Sequence, residues 1–174
     1  MPSQKEIRAR ISSTISTQQI TKAMKLVSAT KLRKASEAIV RMRPYAEKLQ
    51  GIMGNLQDST EDARLAAFFE AREPKKLAIF VVTSDRGLCG AFNANVVKTT
   101  RNLLNGEYAE AYKNGGVTLF CIGKKGAESL RRYGIEVNTD FVNLAIDINA
   151  EKTFSAIDGI LQKFLVGEFD HVSV

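Results

Sequence analysis

The sequence predicts an α/β chain in two parts: one very long helix, then a mostly parallel sheet with helices packed on it. Three observations predict this. From residue 3 to residue 56 no glycine occurs before Gly51, and apolar residues recur at three- and four-residue steps. "LAIFVV" (77–82) and "VTLFCIG" (117–123) are short β-branched and aromatic runs, the pattern of buried strands. Helical stretches follow them at 93–105, 124–134 and 151–165, so the order alternates β-α-β-α, as parallel sheets require.

The long helix is expected over residues 3–56. Ser3 and Glu6 stand at capping-box spacing. Ile20, Met24 and Val27, then Ala35, Ile39, Met42, Ala46, Leu49 and Met53, fall on one side of it. Two places test its continuity. "SSTISTQQ" (12–19) is a weak helix former, yet no Pro or Gly marks a stop there, so the reading continues through it. Pro44 predicts a kink or a break. About 50 helical residues reach roughly 75 Å. A domain of this size does not bury that length, so most of the helix is expected to project and pack on something else.

Residues 57–75 form the expected join. Ala66, Ala67, Phe68 and Phe69 predict a short helix lying on the domain that follows, which spans residues 76–174. Asn149 is the expected cap of the last helix. The sequence ends in "FDHVSV", apolar-alternating strand sequence with no turn after it, and the domain is expected to continue.

The 174 residues are 44% hydrophobic and 25% charged, a globular composition. No apolar run approaches the roughly 18 residues of a membrane span. The N-terminus is basic and Ser-containing, but its helical pattern runs well past any transit-peptide cleavage point. Charge is uneven. Residues 1–50 hold eleven Lys and Arg against three acids, a net of +8, while residues 51–174 hold 14 against 16, a net of −2. The first third therefore has its own expected partner. It contains one aromatic, Tyr45, so it offers no stacking platform for nucleic-acid bases, and its apolar stripe points to protein instead.

"TSDRGLCGAFN" (83–93) follows the first strand, where nucleotide-binding folds carry their phosphate loop. Gly87 and Gly90 make only G-x-x-G, without the middle glycine of the dinucleotide fingerprint. Ala91 and Phe92 stand where a P-loop needs Lys and Ser/Thr. The glycines are read as backbone devices for a tight turn, with Asp85 and Arg86 at its tip. One histidine, His171, argues against a Ser/His/Asp triad and leaves the chain without the ligand set of an ordinary His/Cys metal site. Cys89 and Cys121 are unpaired in sequence and expected to be small buried side chains.

"QQITKAMKLVSATKLRKA" (18–35), "TSDRGLCGAFNAN" (83–95) and "IGKKG" (122–126), at this separation, closely resemble the signatures of the gamma subunit of F-type ATP synthase. The resemblance implies a central rotor shaft. The N-terminal helix is then half of an antiparallel coiled coil inside a ring of alpha and beta subunits, and the α/β domain is Rossmann-like. Its implied partners are alpha, beta, epsilon and the c-subunit ring, with no nucleic acid and no cofactor. The membrane is reached only through the complex, on the cytoplasmic face of a bacterial inner membrane or the equivalent organelle membrane. The resemblance implies that ATP is made in the beta subunits and that this chain is not itself an enzyme. It places Met24 and Lys25 near acidic levers of beta, with Lys22, Lys31 and Arg33 as further candidates. Asp85, Arg86 and Gly87 fall in the signature turn near the foot of the helix, for packing and positioning. The family's long C-terminal helix has no counterpart within residues 1–174.

Overall fold

The computed structural model of the protein describes residues 3–59, 63–146 and 150–174, which form two units dividing at Thr60 and Glu61.

The first unit is one helix, α1 (Gln4–Ser59). It is unbroken, at roughly 84 Å for its 56 residues. The Ser3 hydroxyl accepts from the Glu6 amide at 3.3 Å and caps its start. In and just after the weak stretch, threonine hydroxyls bond inside the helix: Thr14 donates to Arg10 O, Thr17 to Ser13 O and Thr21 to Thr17 O, at 2.8–2.9 Å. Side chains that otherwise compete with the backbone are satisfied one turn back. Pro44 removes one amide donor, and the helix runs through it without the break that its presence made possible. Every side chain from Ser3 to Leu56 is exposed.

The second unit carries, in order, α2 (Ala63–Phe69), β1 (Leu77–Val82), α3 (Phe92–Asn105), α4 (Ala109–Lys113), β2 (Val117–Ile122), α5 (Lys124–Arg132), α6 (Ala150–Leu165) and β3 (His171–Ser173). The strands are parallel in the order β2-β1-β3, with Leu77 opposite both Val117 and His171. The expected cap of α6, Asn149, lies outside the described residues. Gly123 belongs to no strand; it is the N-cap of α5.

Strand alternation divides the apolar side chains between two faces. Leu77, Ile79 and Val81, with Leu119 and Cys121, pack against Val97 and Leu104 of α3 and Ala127 and Leu130 of α5. Ala78 and Phe120 face the other way, toward Ile160 of α6 and Phe169. There Phe80, Phe120 and Phe141 stand within 5.1–5.8 Å of one another. A parallel sheet covered on both faces explains why both runs are apolar throughout. α2 is a short helix within 57–75, and its Phe68 stacks on Phe164 of α6 at 5.8 Å. Arg72 seals that join, its guanidinium 4.7 Å from the Phe164 ring and donating to Phe164 O at 2.9 Å.

Two features had no sequence expectation. α4 is five residues long, too short to show a period. On the far side of β2, Asn138 bridges Phe120: Cys121 N–H donates to Asn138 O at 3.0 Å and Asn138 N–H to Leu119 O at 2.7 Å.

Candidate functional site

The segment that leaves β1 does not hang free as a phosphate loop. It is bonded to the start of α5. Helices begin with amides that lack intrahelical partners, and this is where phosphates bind in nucleotide folds. In α5 three consecutive amides are taken by three consecutive loop residues. Lys124 N–H donates to Asp85 Oδ1 at 3.0 Å, Lys125 N–H to Ser84 O at 3.2 Å, and Gly126 N–H to Thr83 Oγ1 at 2.9 Å. The Asp85 carboxylate also sits at the positive end of the helix dipole.

The close fit accounts for both glycines of "IGKKG". A Cβ on Gly123 falls 2.1 Å from Thr83 O, and its φ of +100° is itself a glycine conformation. A Cβ on Gly126 falls 2.5 Å from Thr83 Oγ1. "TSD" and "IGKKG" are thus two halves of one joint, 39 to 43 residues apart in the chain.

The opposite side of the loop is tied to α3. Ser84 N–H donates to Asn93 Oδ1 at 3.0 Å, Asn93 Nδ2 donates to Ser84 Oγ at 2.9 Å, and Ser84 Oγ donates to Arg86 O at 2.6 Å. Cys89 Sγ lies 3.6 Å from the same hydroxyl. The Ser84 hydroxyl, and after it the backbone N–H of Asn93, hold the Cys89 thiol below its ordinary pKa. Burial pushes the Cys121 thiol up to about 11. Cys121 is buried as expected; Cys89 is only partly covered.

The turn differs from its sequence reading in two respects. Asp85 is not at the tip, because its carboxylate is turned onto α5. Nor do the two glycines act alike. Gly90 takes a left-handed φ of 60°, Gly87 does not, and Leu88 does, at 63°. Arg86, Gly87 and Leu88 are exposed.

The candidates in the first unit are all exposed on α1. Arg33 reaches Glu37 at 3.8 Å, while Lys22, Lys25 and Lys31 have no carboxylate partner among the described residues. The helix pattern separates Met24 from the main stripe. Leu32, Ala35, Ile39, Met42, Ala46, Leu49, Met53 and Leu56 alternate steps of three and four without exception, a period of 3.5 that coiled coils use. Stepping back by the same rule meets Ser28, Lys25, Thr21, Gln18 and Thr14 before the seam turns apolar again at Ile11 and Ile7. Ile20, Met24 and Val27 sit one residue out of phase with it, about 100° around the helix. Met24 and Lys25 therefore lie on different faces.

Among the described residues no helix is long and apolar enough to cross a membrane, and no group of three His, Cys, Asp or Glu side chains is placed to hold a metal.

A sequence model of one family, described as ATP synthase, matches residues 3–174. The chain belongs to the ATP synthase family. Among its relatives, the ATP synthase gamma chain of Cytophaga hutchinsonii is 47% identical over 174 residues, covering 100% of this chain and 59% of the relative. The gamma chain of Chlorobium phaeobacteroides is 37% identical over the same length, again 100% of this chain and 59% of the relative. The chain thus spans 59% of the length of these relatives. A solved structure of the Tetrahymena thermophila mitochondrial ATP synthase, its central stalk and c ring, superposes with a TM-score of 0.54 at 24% identity, over 81% of this chain and 58% of that one. It supports the fold: a long helix joined to a small parallel sheet.

Proposed function

We propose that this chain forms part of the central rotor shaft of an F-type ATP synthase, coupling proton-driven rotation of the c ring to ATP synthesis in the beta subunits. The observation that carries the reading is α1, an unbroken 56-residue helix whose apolar residues form a heptad seam and a second patch out of phase with it. A helix covered by one partner needs one stripe. Two stripes about 100° apart fit a helix that winds against a partner helix along Leu32–Leu56 and meets a different neighbour at Ile20–Val27.

In this reading the second neighbour is a beta subunit. Met24 sits in the apolar patch, and Lys22, Lys25, Lys31 and Arg33 meet acidic side chains of the surrounding ring. Asp85, Arg86 and Gly87 belong to the turn that contacts neighbours near the foot of the shaft, where the epsilon subunit and the c ring are placed. Asp85 acts there by holding the turn. The complex sits on its membrane through the c ring, at the cytoplasmic face in a bacterium or the equivalent face in an organelle, with this subunit peripheral.

The chain itself makes no ATP in this reading. The turn between β1 and α3, where related architectures bind a nucleotide phosphate, lacks both the middle glycine of the dinucleotide fingerprint and the Lys and Ser/Thr of a P-loop, and this argues against a nucleotide-binding rival. Two experiments test the proposal. The full-length subunit is expected to co-purify with alpha and beta subunits and to show no nucleotide hydrolysis alone. Met24→Lys, adding charge to the apolar patch, is expected to lower the protons pumped per ATP hydrolysed in the assembled complex. Failure to co-purify, or micromolar binding of ATP, NAD or FMN to this chain, refutes the reading.

A further inference from the structure

The seam of α1 loses its apolar character in one stretch without losing its phase. From Ile7 to Leu56 steps of four and three alternate throughout. Ile11, Gln18, Lys25, Leu32 and Ile39 share one heptad position, while Thr14, Thr21, Ser28 and Ala35 share the other. A helix that parted from its partner at Leu32 would have no reason to keep the count, and no inserted three or four residues mark a change of partner.

The polar stretch makes its demand at two places. Thr14 and Thr21 donate their hydroxyls to Arg10 O and Thr17 O, both at 2.8 Å, which leaves their methyl groups to meet a neighbour. Ser28 is small. Gln18 and Lys25 remain, one heptad apart at the same position. A polar or charged side chain there costs stability and fixes which helix pairs and in which register. An ammonium held between two helices is retained where it meets a carboxylate. α1 does not supply one. Residues 7–36 contain seven Lys and Arg and no Asp or Glu, and Lys25 has no carboxylate partner among the described residues. A second copy of α1 does not supply one either. Up to Leu56 its acids are Glu6, Glu37 and Glu47, all at heptad positions that point away from the seam, and it brings the same excess of positive charge.

We propose that the partner helix of the Leu32–Leu56 seam continues along Ile11–Leu32 and carries a carboxylate facing Lys25, with a hydrogen-bonding side chain facing Gln18. Resting on the rotor reading for that helix, this assignment moves Lys25 from the surrounding ring to the seam and leaves Lys22, Lys31 and Arg33 facing the ring.

The test uses the full-length subunit assembled with its alpha and beta subunits. A carbodiimide joins an amine directly to a carboxylate in contact with it, and is expected to link Lys25 to one acidic residue on a helix outside α1. A photo-crosslinking amino acid in place of Ile39 is expected to mark the same helix, two heptads from that acid. Lys25→Met is expected to weaken assembly about tenfold or more, because it strands the partner's carboxylate, and Lys25→Arg to keep most of it. Full assembly of Lys25→Met, no linkage at Lys25, linkage to a beta subunit or to a second copy of α1, or labels from positions 25 and 39 on different segments overturns the inference and leaves the rotor reading standing. Failure of the unaltered subunit to assemble at all removes both, an outcome distinct from any effect of a Lys25 variant.

Discussion

α1 and the core of the α/β unit carry the same kinds of side chain in opposite situations. Leu77, Ile79, Leu119 and Leu130 are buried within the chain, and Leu130 is 0% exposed. Leu32, Ile39, Leu49 and Met53 are exposed, Leu49 at 42%. The sheet closes its apolar surface with helices from the same unit. The helix carries a seam at least as regular and has nothing in its own unit to close it. The difference teaches where stability resides: the α/β unit's is internal, and that of α1 depends on a neighbour, because an isolated helix gains little from a seam it leaves in water.

The sharpest way to break this comparison is at the joint between the two signature segments. Gly123→Ala forces a Cβ to within 2.1 Å of a backbone carbonyl in a left-handed conformation. A loss of about 3 kcal/mol or more is expected, measured by denaturant unfolding of the full chain. A fully stable variant would show that the joint is looser than its bonds indicate.

Next come paired truncations. Leu130→Ala is expected to cost about 3 kcal/mol. Leu49→Ala is expected to change the free subunit by less than about 0.5 kcal/mol and to lower its association with partners. Equal costs in the free subunit would erase the distinction between the regions.

The two thiols sharpen the contrast within the α/β unit. The folded pKa of Cys121 lies above its ordinary value of 9.0, at about 11. The stability that the neutral thiol contributes is therefore complete below pH 9 and is lost as pH rises through 11, by up to about 2–3 kcal/mol. Unfolding curves across that window should show the fall, and Cys121→Ala should flatten it. Cys89, with its pKa lowered and its side chain partly exposed, should alkylate first in the folded protein, with Cys121 reacting only on unfolding. Mass-spectrometric labelling would reveal the reverse order.

A smaller loss than at Gly123 or Leu130 is expected at Asp85. Asp85→Ala removes the side-chain acceptor from the first α5 amide, at about 1 kcal/mol. Its effect on partner association is expected to follow from a loosened loop. Asp85→Asn, which retains an acceptor oxygen, should restore most of both.

Much of the architecture was legible in residue order. The strands at 77–82 and 117–122, the helices after them and the single long helix were all signalled by period and by the absence of breakers. Where the reading went astray, the signal was local and the cause distant. Asp85 read as a tip residue because nothing in "TSDRGLCG" announces that its acceptor site lies on Lys124. Gly87 and Leu88 exchanged roles because backbone sign depends on how the loop is tied at both ends. The Asn138 bridge is a single pairing with no repeating pattern to detect.

Residue order alone determined what each segment had to be: the helical period of the long helix, the continuous apolar strand runs, the Ser3 cap, and the lack of a phosphate-binding set are properties of neighbours along the chain. Tertiary structure decided what the glycines and Asp85 are for, and which side chain the turn presents. Those outcomes depend on two segments about forty residues apart coming within hydrogen-bonding distance, and a steric clash or a satisfied amide exists only once both partners share the same space.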